Sequence, residues 1–277
     1  MFIAAPLFKR EQLCFFMKKH ILISTFSLLA IIANAQDEKM ITDRPGFTID
    51  PATTEKKWIQ AETGFYRDTE KKGFGLKNHF MQNPVLAIKY GVVKRVELRI
   101  ITELATIREE AINGTDIYKG LNRVELGAKF NFLDGKGAIP KTSLIAHYHF
   151  NHLRTIFKDT IDGADFRLAF RNNISKTVSI RYNAGMLWRD FRFDPYFLYS
   201  LSPGFNFGER WFAFIEVYGY FWEKYHPMNS LGAGLAFYIN DNLKVDASAG
   251  IGLSKLAPDN FYAFGASFRF RTSKKAE

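Results

Sequence analysis

Cysteine and long apolar stretches are what this 277-residue chain has least of. Its single cysteine, Cys14, lies near the N-terminus, so disulfides cannot stabilise the rest of the chain. The longest mainly apolar stretch, Ile21 to Ala33, is shorter than the roughly 20 residues that a membrane-spanning helix needs. The sequence therefore excludes a bundle of transmembrane helices and a disulfide-stapled fold.

Linkers and blocks of like charge are also lacking. No stretch rich in proline, glycine and serine divides the chain, so we predict one structural domain. The formal net charge is +10, but the basic residues are scattered among aromatic ones rather than massed in runs of roughly five to eight. This pattern argues against nucleic acid as a partner.

Motifs for catalysis and for cofactors are missing as well. The sequence contains no Gly-x-Ser-x-Gly elbow and no nucleotide-binding loop. Ser143 and His147 share one face of a predicted strand, but four residues at about 3.3 Å each hold them roughly 13 Å apart, too far for a hydrogen bond. We therefore predict no catalytic residue, no cofactor and no energy-coupled transport.

The N-terminus carries an export signal. A basic stretch, Lys18 to His20, precedes the apolar one, and Ala33-Asn34-Ala35 follows as a cleavage site. We predict a signal peptide over residues 1–35, with Met17 as the true start and residues 1–16 as an artefactual extension or an unusual leader. The mature chain would then leave the cytoplasm without any cysteine.

Beyond residue 57, apolar and polar residues alternate with a period of two. In the last such stretch Phe264, Phe268 and Phe270 fall on one face, and Ser267 and Arg269 fall on the other. Stretches of about ten residues suit tilted strands that cross a membrane. The twelve candidate strands are 58–66, 83–90, 95–104, 122–132, 142–151, 164–172, 177–188, 195–206, 211–220, 230–239, 243–253 and 262–270.

The connections between these strands alternate between short and long. The short ones, rich in turn residues, are 91–94, 133–138, 173–176, 207–210 and 240–242. Outer-membrane barrels have tight periplasmic turns and longer outward loops, and an even strand number puts both termini in the periplasm. We predict an all-β fold, an antiparallel up-and-down transmembrane β-barrel of about 12 strands, in the outer membrane of a Gram-negative cell.

Alternation would also suit a soluble lipocalin-type barrel, which hides its apolar face inside. The bore of twelve strands is too wide for the small residues of the polar face to fill, so we assign the apolar face to lipid. The domain plan is then a periplasmic N-terminal leader over 36–57, the barrel over 58–270 and a charged, disordered tail over 271–277. The four tryptophans are expected in the aromatic girdles, Trp188 and Trp222 on the outer side and Trp58 and Trp211 on the periplasmic side.

Several short motifs of the exported chain resemble one known family. Residues 41–48 read ITDRPGFT and residues 58–65 read WIQAETGF. Shorter matches follow at Val96 to Arg99, Gly127 to Phe130, Ile215-Glu216 and Lys244 to Asp246. The set resembles the outer-membrane transporter family named for the MetA pathway of phenol degradation. The resemblance implies a porin or transporter that gives passive or weakly selective passage to a small aromatic or hydrophobic solute.

Three roles are open for Asp43, Arg44 and Pro45, which form the centre of the first motif. They could serve as a plug, as a periplasmic recognition strand, or as an extended leader that proline stiffens.

Charged residues on the polar face would line the lumen of the barrel. We favour a structural role, in which they pair across neighbouring strands, over a ladder of charges that selects permeating solutes. The candidate lumen-lining residues are Glu62, Lys89, Glu97, Arg99, Glu125, Lys129, His147, His149, Arg167, Arg171, Arg181, Glu216, Lys244, Asp246 and Arg269.

Two histidines invite a metal site. His147 and His149 lie on the same strand face, with His152 just beyond, and imidazole is a common metal ligand. No third ligand can be identified in the sequence. We therefore favour a polar lining role and predict no metal.

The expected partners follow from the fold. They are outer-membrane lipid and lipopolysaccharide, the barrel-assembly machinery and a small-molecule solute. The alternative function is a non-conducting barrel with a lipid-directed enzymatic role or a surface-display role. Its best loop candidates are residues 105–121 and 152–163.

Overall fold

The structure, a computed structural model, describes residues 39–272 except 73–75, 157–160, 192–193 and 223–224. The predicted signal peptide lies outside the described residues, as do residues 273–277 of the predicted tail. The strands are β1 (Trp58–Lys72), β2 (Leu76–Val93), β3 (Val96–Ala111), β4 (Gly114–Leu133), β5 (Lys141–His149), β6 (Gly163–Asn173), β7 (Val178–Trp188), β8 (Tyr196–Phe207), β9 (Trp211–Trp222), β10 (Tyr225–Asn240), β11 (Leu243–Gly252) and β12 (Asn260–Arg271).

These strands form one closed antiparallel barrel in chain order. The last strand, β12, closes the barrel on β1, with Trp58 opposite Arg271 and Thr69 opposite Asn260. A single 3-10 turn, Asn151–Leu153, lies between β5 and β6. Among the described residues, no helix is both long and apolar enough to cross a bilayer. The predicted twelve-stranded antiparallel barrel is confirmed.

The two faces of the sheet have the burial expected of a barrel in lipid. Large apolar side chains such as Leu98, Ile215 and Phe264 are about half exposed, at 50%, 51% and 55%. Glu97 and Lys129, whose side chains point the other way, are only 1% exposed as whole residues. A water-soluble protein normally buries the apolar set and exposes the charged one, so this arrangement fits an apolar outer surface around a charged lumen.

All five predicted short turns lie at the end of the barrel where β1 begins and β12 ends, which we call the terminal end. They connect β2 to β3, β4 to β5, β6 to β7, β8 to β9 and β10 to β11. The opposite end, which we call the far end, carries the remaining connections. The far-end connections are not uniformly longer, because only residues 112–113 join β3 to β4 there, whereas residues 134–140 join β4 to β5 at the terminal end. The predicted alternation of connection lengths is therefore correct only in part.

The predicted loop over residues 105–121 is wrong, because β3 and β4 continue there as one long hairpin. Its residues are polar on both faces, so the period of two disappears although the strands remain paired. His79 of β2 lies 3.7 Å from Glu110 of β3, and Arg108 lies 3.0 Å from the same carboxylate. Beyond the bilayer neither face has to be apolar, and hydrogen bonds with polar pairs maintain the sheet.

The expectation for the tryptophans is wrong for two of the four. Trp58 is 5% exposed and has the guanidinium of Arg269 4.5 Å from its ring centroid, so it faces the lumen. Trp222 shares the inward face of β9 with Glu216 and lines an interior cavity. Strand alternation explains both inward positions, because residues an even number of positions apart in a strand point to the same side of the sheet. Trp211, at 47% exposed, remains on the outer surface.

This assignment predicts how brominated lipid quenches each tryptophan. We expect strong quenching in a full-length variant that retains only Trp211, because its ring faces the acyl chains. A matched variant that retains only Trp58 should be quenched little, since the barrel wall separates its ring from lipid. Fluorescence in vesicles with and without brominated lipid measures both. Equal quenching of the two variants would contradict the inward placement of Trp58.

Candidate functional site in the barrel lumen

Residues 39–57, which we call the lumenal segment, fold back inside the barrel. The segment begins at the terminal end, where the Met40 N–H donates to the Asp241 carbonyl over 3.1 Å. It rises to Phe47, whose ring stacks on Tyr218 of β9, and returns to the terminal end. There the Lys57 N–H donates to the carbonyl of Gly91 over 2.7 Å. The segment is therefore a re-entrant loop rather than a leader below the barrel.

The position of the lumenal segment follows from the number of strands that it contacts. Within the part of the chain that the structure describes, its residues bond to side chains of eleven strands, all except β8. The wall residues are Glu62, Lys89, Arg99, Lys129, Ser143, Arg171, Asn183, Glu216, Tyr238, Asp246 and Arg269. A chain of this length reaches all of them only from inside the bore. It therefore lies across the lumen as a plug.

Asp43 is the most heavily bonded side chain of the segment. Its carboxylate lies 2.5 Å from the ammonium of Lys89 and 3.2 Å from that of Lys129. The guanidinium of Arg99 donates a hydrogen bond to it as well. Three buried cations thus converge on one carboxylate, an arrangement of charge-assisted hydrogen bonds stronger than neutral ones.

Arg44 occupies a space that two glycines leave open. Gly64 of β1 and Gly265 of β12 face each other in register, and a Cβ atom on either would clash with the Arg44 guanidinium. That guanidinium pairs with Asp246 of β11 over 3.1 Å. The backbone N–H of Arg44 donates to Glu62 over 3.2 Å. The wall is therefore shaped to receive this side chain.

Glu216 of β9 holds the top of the lumenal segment. Its carboxylate accepts hydrogen bonds from the N–H groups of Phe47 and Thr48, over 2.8 and 3.0 Å, and from the Thr48 hydroxyl over 2.9 Å. The Phe47 ring stacks on Tyr218 with 4.4 Å between centroids and meets Tyr220 edge-on at 5.5 Å. One carboxylate and two aromatic rings thus fix the turn.

Polar contacts also fix the returning half of the segment. Asn183 of β7 brackets Ile49, accepting from its N–H over 2.8 Å and donating to its carbonyl over 2.9 Å. Asp50 pairs with Arg171 over 2.9 Å. Further along, the N–H of Thr54 donates to Glu97 over 2.6 Å. The described contacts that hold the segment are therefore mostly hydrogen bonds and ion pairs.

All fifteen candidate lumen-lining residues lie on the inner face and are buried or largely buried. Some pair along the wall, as Lys89 does with Glu62 over 2.5 Å, which is the structural role that we favoured. Others contact the lumenal segment. The motif of Asp43, Arg44 and Pro45 lies inside the barrel, in the position of a plug.

The candidate histidines lie in a network of charged groups. Glu125, His149 and Asp165 bring their ligand atoms within 4.8 Å of one another, and His147 Nδ1 lies 3.1 Å from Asp165. Three guanidinium groups lie close by: Arg123 is 3.7 Å from Glu125, Arg167 is 3.9 Å from Asp165, and Arg99 is 3.3 Å from His147. These cations already neutralise the carboxylates and oppose the approach of a metal cation.

The geometry around His147 is also unlike that of a hydrolase. Its Nδ1 contacts Asp165, as in a catalytic triad, but its Nε2 faces Arg99 at 3.3 Å rather than a nucleophile. The hydroxyl of Ser143 donates instead to the carbonyl of Pro51. The Ser143 and His147 side chains are thus used to hold the wall and the lumenal segment.

A cavity of about 120 Å³ lies above the segment, at the far end of the barrel. Its lining includes Arg189, Tyr196, Tyr220 and Trp222, and Tyr220 also contacts Phe47. The Arg189 guanidinium lies 4.6 Å from the centroid of the Tyr196 ring. The cavity therefore combines aromatic surfaces with a cation.

Buried and exposed ion pairs should differ in their contribution to stability. Replacement of Arg44 by methionine leaves Asp246, whose side chain is fully buried, with Lys244 alone at 3.9 Å. We expect a loss of roughly 1–3 kcal/mol in the free energy of unfolding.

Arg95 provides the matched control for this substitution. Arg95→Met breaks a pair with Asp134 in which both side chains are about half exposed, and it should cost less than about 1 kcal/mol. Urea titration of the folded barrel in lipid measures the free energy of unfolding of both variants. Equal losses in the free energy of unfolding for the two variants would contradict the close packing of Arg44 against the barrel wall.

Comparison with solved structures identifies barrels of the same fold. An outer membrane channel of Pseudomonas putida F1, described as COG4313, has a TM-score of 0.65 at 8% identity, over 86% of this chain and 100% of the other. The KdgM porin has a TM-score of 0.53 at 10% identity, over 76% and 99%. The translocator domain of the autotransporter NalP from Neisseria meningitidis has a TM-score of 0.50 at 13% identity, over 92% and 95%.

Comparison with curated proteins finds no match. A family model, in contrast, matches residues 42–270, which include most of the lumenal segment and nearly the whole barrel. This agrees with the resemblance read from the motifs at residues 41–48 and 58–65. The chain belongs to the family described as "Putative MetA-pathway of phenol degradation".

Proposed function

We propose that the protein is an outer-membrane channel through which a small solute diffuses along a charged lumen, and that the lumenal segment controls the width of that path. The terminal end would face the periplasm. Transport would be passive. The barrels similar to this one support the proposal, since one is described as an outer membrane channel and another as a porin.

The way in which the segment is held carries this proposal. Asp43, Glu216 and Asn183 hold it through hydrogen bonds and ion pairs, which water and dissolved ions can replace. Departure of the segment would expose mostly polar wall rather than an apolar core. Water that enters the lumen would therefore take over these bonds when the segment leaves, and the charged bore behind it would conduct.

The solute would be small and at least partly aromatic. The far-end cavity presents Tyr196, Tyr220 and Trp222, whose rings offer stacking surfaces. The description of the family, which refers to phenol degradation, supports the same class of solute. Arg189 at the cavity would favour a solute with a negative group.

Conductance in planar bilayers tests the proposal. We would purify the barrel from the outer membrane of an expression host, and insert both the wild type and a variant that lacks residues 39–52. Discrete conductance steps are expected from both, smaller for the wild type. Silence from both folded proteins would contradict the channel function and favour a display or lipid-directed role.

A further inference from the structure

Lys129 of β4 draws its described partners from the lumenal segment. Its side chain is 2% exposed, and its ammonium pairs with Asp43 over 3.2 Å. It also donates to the carbonyls of Asp50 and Ala52, over 2.8 and 3.0 Å. All three acceptors leave with the segment. A buried ammonium that loses its acceptors must bind water or another anion.

The two neighbouring cations form ion pairs with carboxylates on the wall, and one of these carboxylates, Glu97, also lies opposite Lys129 in the register of β3 and β4. Lys89 pairs with Glu62 over 2.5 Å, and Arg99 pairs with Glu97 over 2.8 Å. Among these side chains, three cations face two wall carboxylates, and Asp43 supplies a third negative charge. Without the segment, this set of five wall side chains carries one excess positive charge.

We propose that Lys89, Arg99 and Lys129 form a binding site for the carboxylate group of the permeating solute, and that Asp43 occupies this site whenever the segment is in the lumen. Asp43 then acts as a tethered competitor of the solute. The proposal rests on the proposed channel function, which it deepens by naming an anionic, carboxylate-bearing class of solute.

The chemistry of the site favours a carboxylate over a simple halide. Arg99 directs Nη2 at Asp43, while its Nε and Nη1 contact Glu97 and His147, so the site offers charged donors from three separate side chains. Both Asp43 oxygens are used in the structure, one by Lys89 and Arg99 and the other by Lys129.

The test is chemical rescue of a deleted side chain. In the full-length chain, Asp43→Ala should lower the temperature at which the folded band is lost in a heat-modifiability gel by several degrees. Sodium acetate should raise this temperature most of the way back to the wild-type value. Neither sodium chloride at the same ionic strength nor acetamide should do so. The double variant D43A/K129M should show no rescue. Equal effects of acetate and chloride on D43A would overturn the proposal.

A second measurement remains available if D43A does not fold. In a chain with Thr48→Cys and Cys14→Ser, acetate should compete with Asp43 and raise the rate at which a charged thiol reagent labels Cys at position 48. The increase should saturate with acetate and be absent with chloride, and no increase would overturn the proposal. Neither readout needs transport, so failure of the channel function would be seen separately, as silence in the bilayer.

Discussion

Removal of residues 39–52 is expected to raise the single-channel conductance several-fold over that of the wild type. The segment contacts eleven strands around the bore, so it takes up cross-section that ions would otherwise use. The deletion keeps Thr53 to Lys57, which connect to the turn after β2. Conductance in planar bilayers, after a gel shift that confirms folding, measures the effect.

A point variant provides the control for this deletion. Asp43→Asn combined with Glu216→Gln keeps the chain length but removes two carboxylates that bind the segment, so its conductance should lie between those of the wild type and the deletion. Glu110→Gln, on the polar hairpin, should leave conductance unchanged. Equal conductance of wild type and deletion would show that the segment does not restrict the path.

Reversal of ion preference is the second large effect. In the chain without residues 39–52, Lys89 and Lys129 lose Asp43 and contribute positive charge to the wall of the lumen, so anions should be preferred. Replacing both lysines by glutamate changes the fixed charge of the wall by four units and should make cations preferred. The reversal potential in a salt gradient should change sign.

The same charge change outside the lumen serves as the control. Lys71→Glu with Lys77→Glu alters two exposed lysines at the far end of β1 and β2. These positions face bulk solvent, where salt screens them, so the reversal potential should move little. If the two double variants changed the reversal potential equally, the ion selectivity would come from the overall charge of the protein rather than from the lumenal cations.

Much of the fold could be predicted because the membrane imposes a period of two. Where one face of a strand meets lipid and the other meets the lumen, as at Phe264 and Ser267 in β12, the alternation of apolar and polar residues is clear. Beyond the bilayer this requirement ends, so the polar ends of β3 and β4 lack the alternation and resemble a loop in sequence. Alternation places Trp58 inward, since Trp58, Gln60 and Glu62 share one face, whereas the general preference of tryptophan for the interfacial girdles predicts the opposite.

The candidate site was predictable only in part. Inward charges such as Lys89 and Glu216 could be named from strand parity, because parity fixes the side of the sheet. The partners of these charges could not be predicted, since contacts between Asp43 and residues 46 to 86 positions away depend on the path of the chain. Two signals were present: a conspicuous Asp43-Arg44-Pro45 motif, and the paired glycines Gly64 and Gly265 that leave room for Arg44.

The lumenal position of the segment is tested most directly by thiol labelling in the outer membrane. Thr48, 1% exposed, and Ile112, 82% exposed at the tip of the β3–β4 hairpin, are each replaced by cysteine in a chain with Cys14→Ser. With a charged, membrane-impermeant reagent, Thr48→Cys should react far more slowly than Ile112→Cys, and D43N/E216Q should speed up the labelling at position 48 alone. Equally fast labelling at both positions in the otherwise unaltered chain would contradict a segment held inside the barrel.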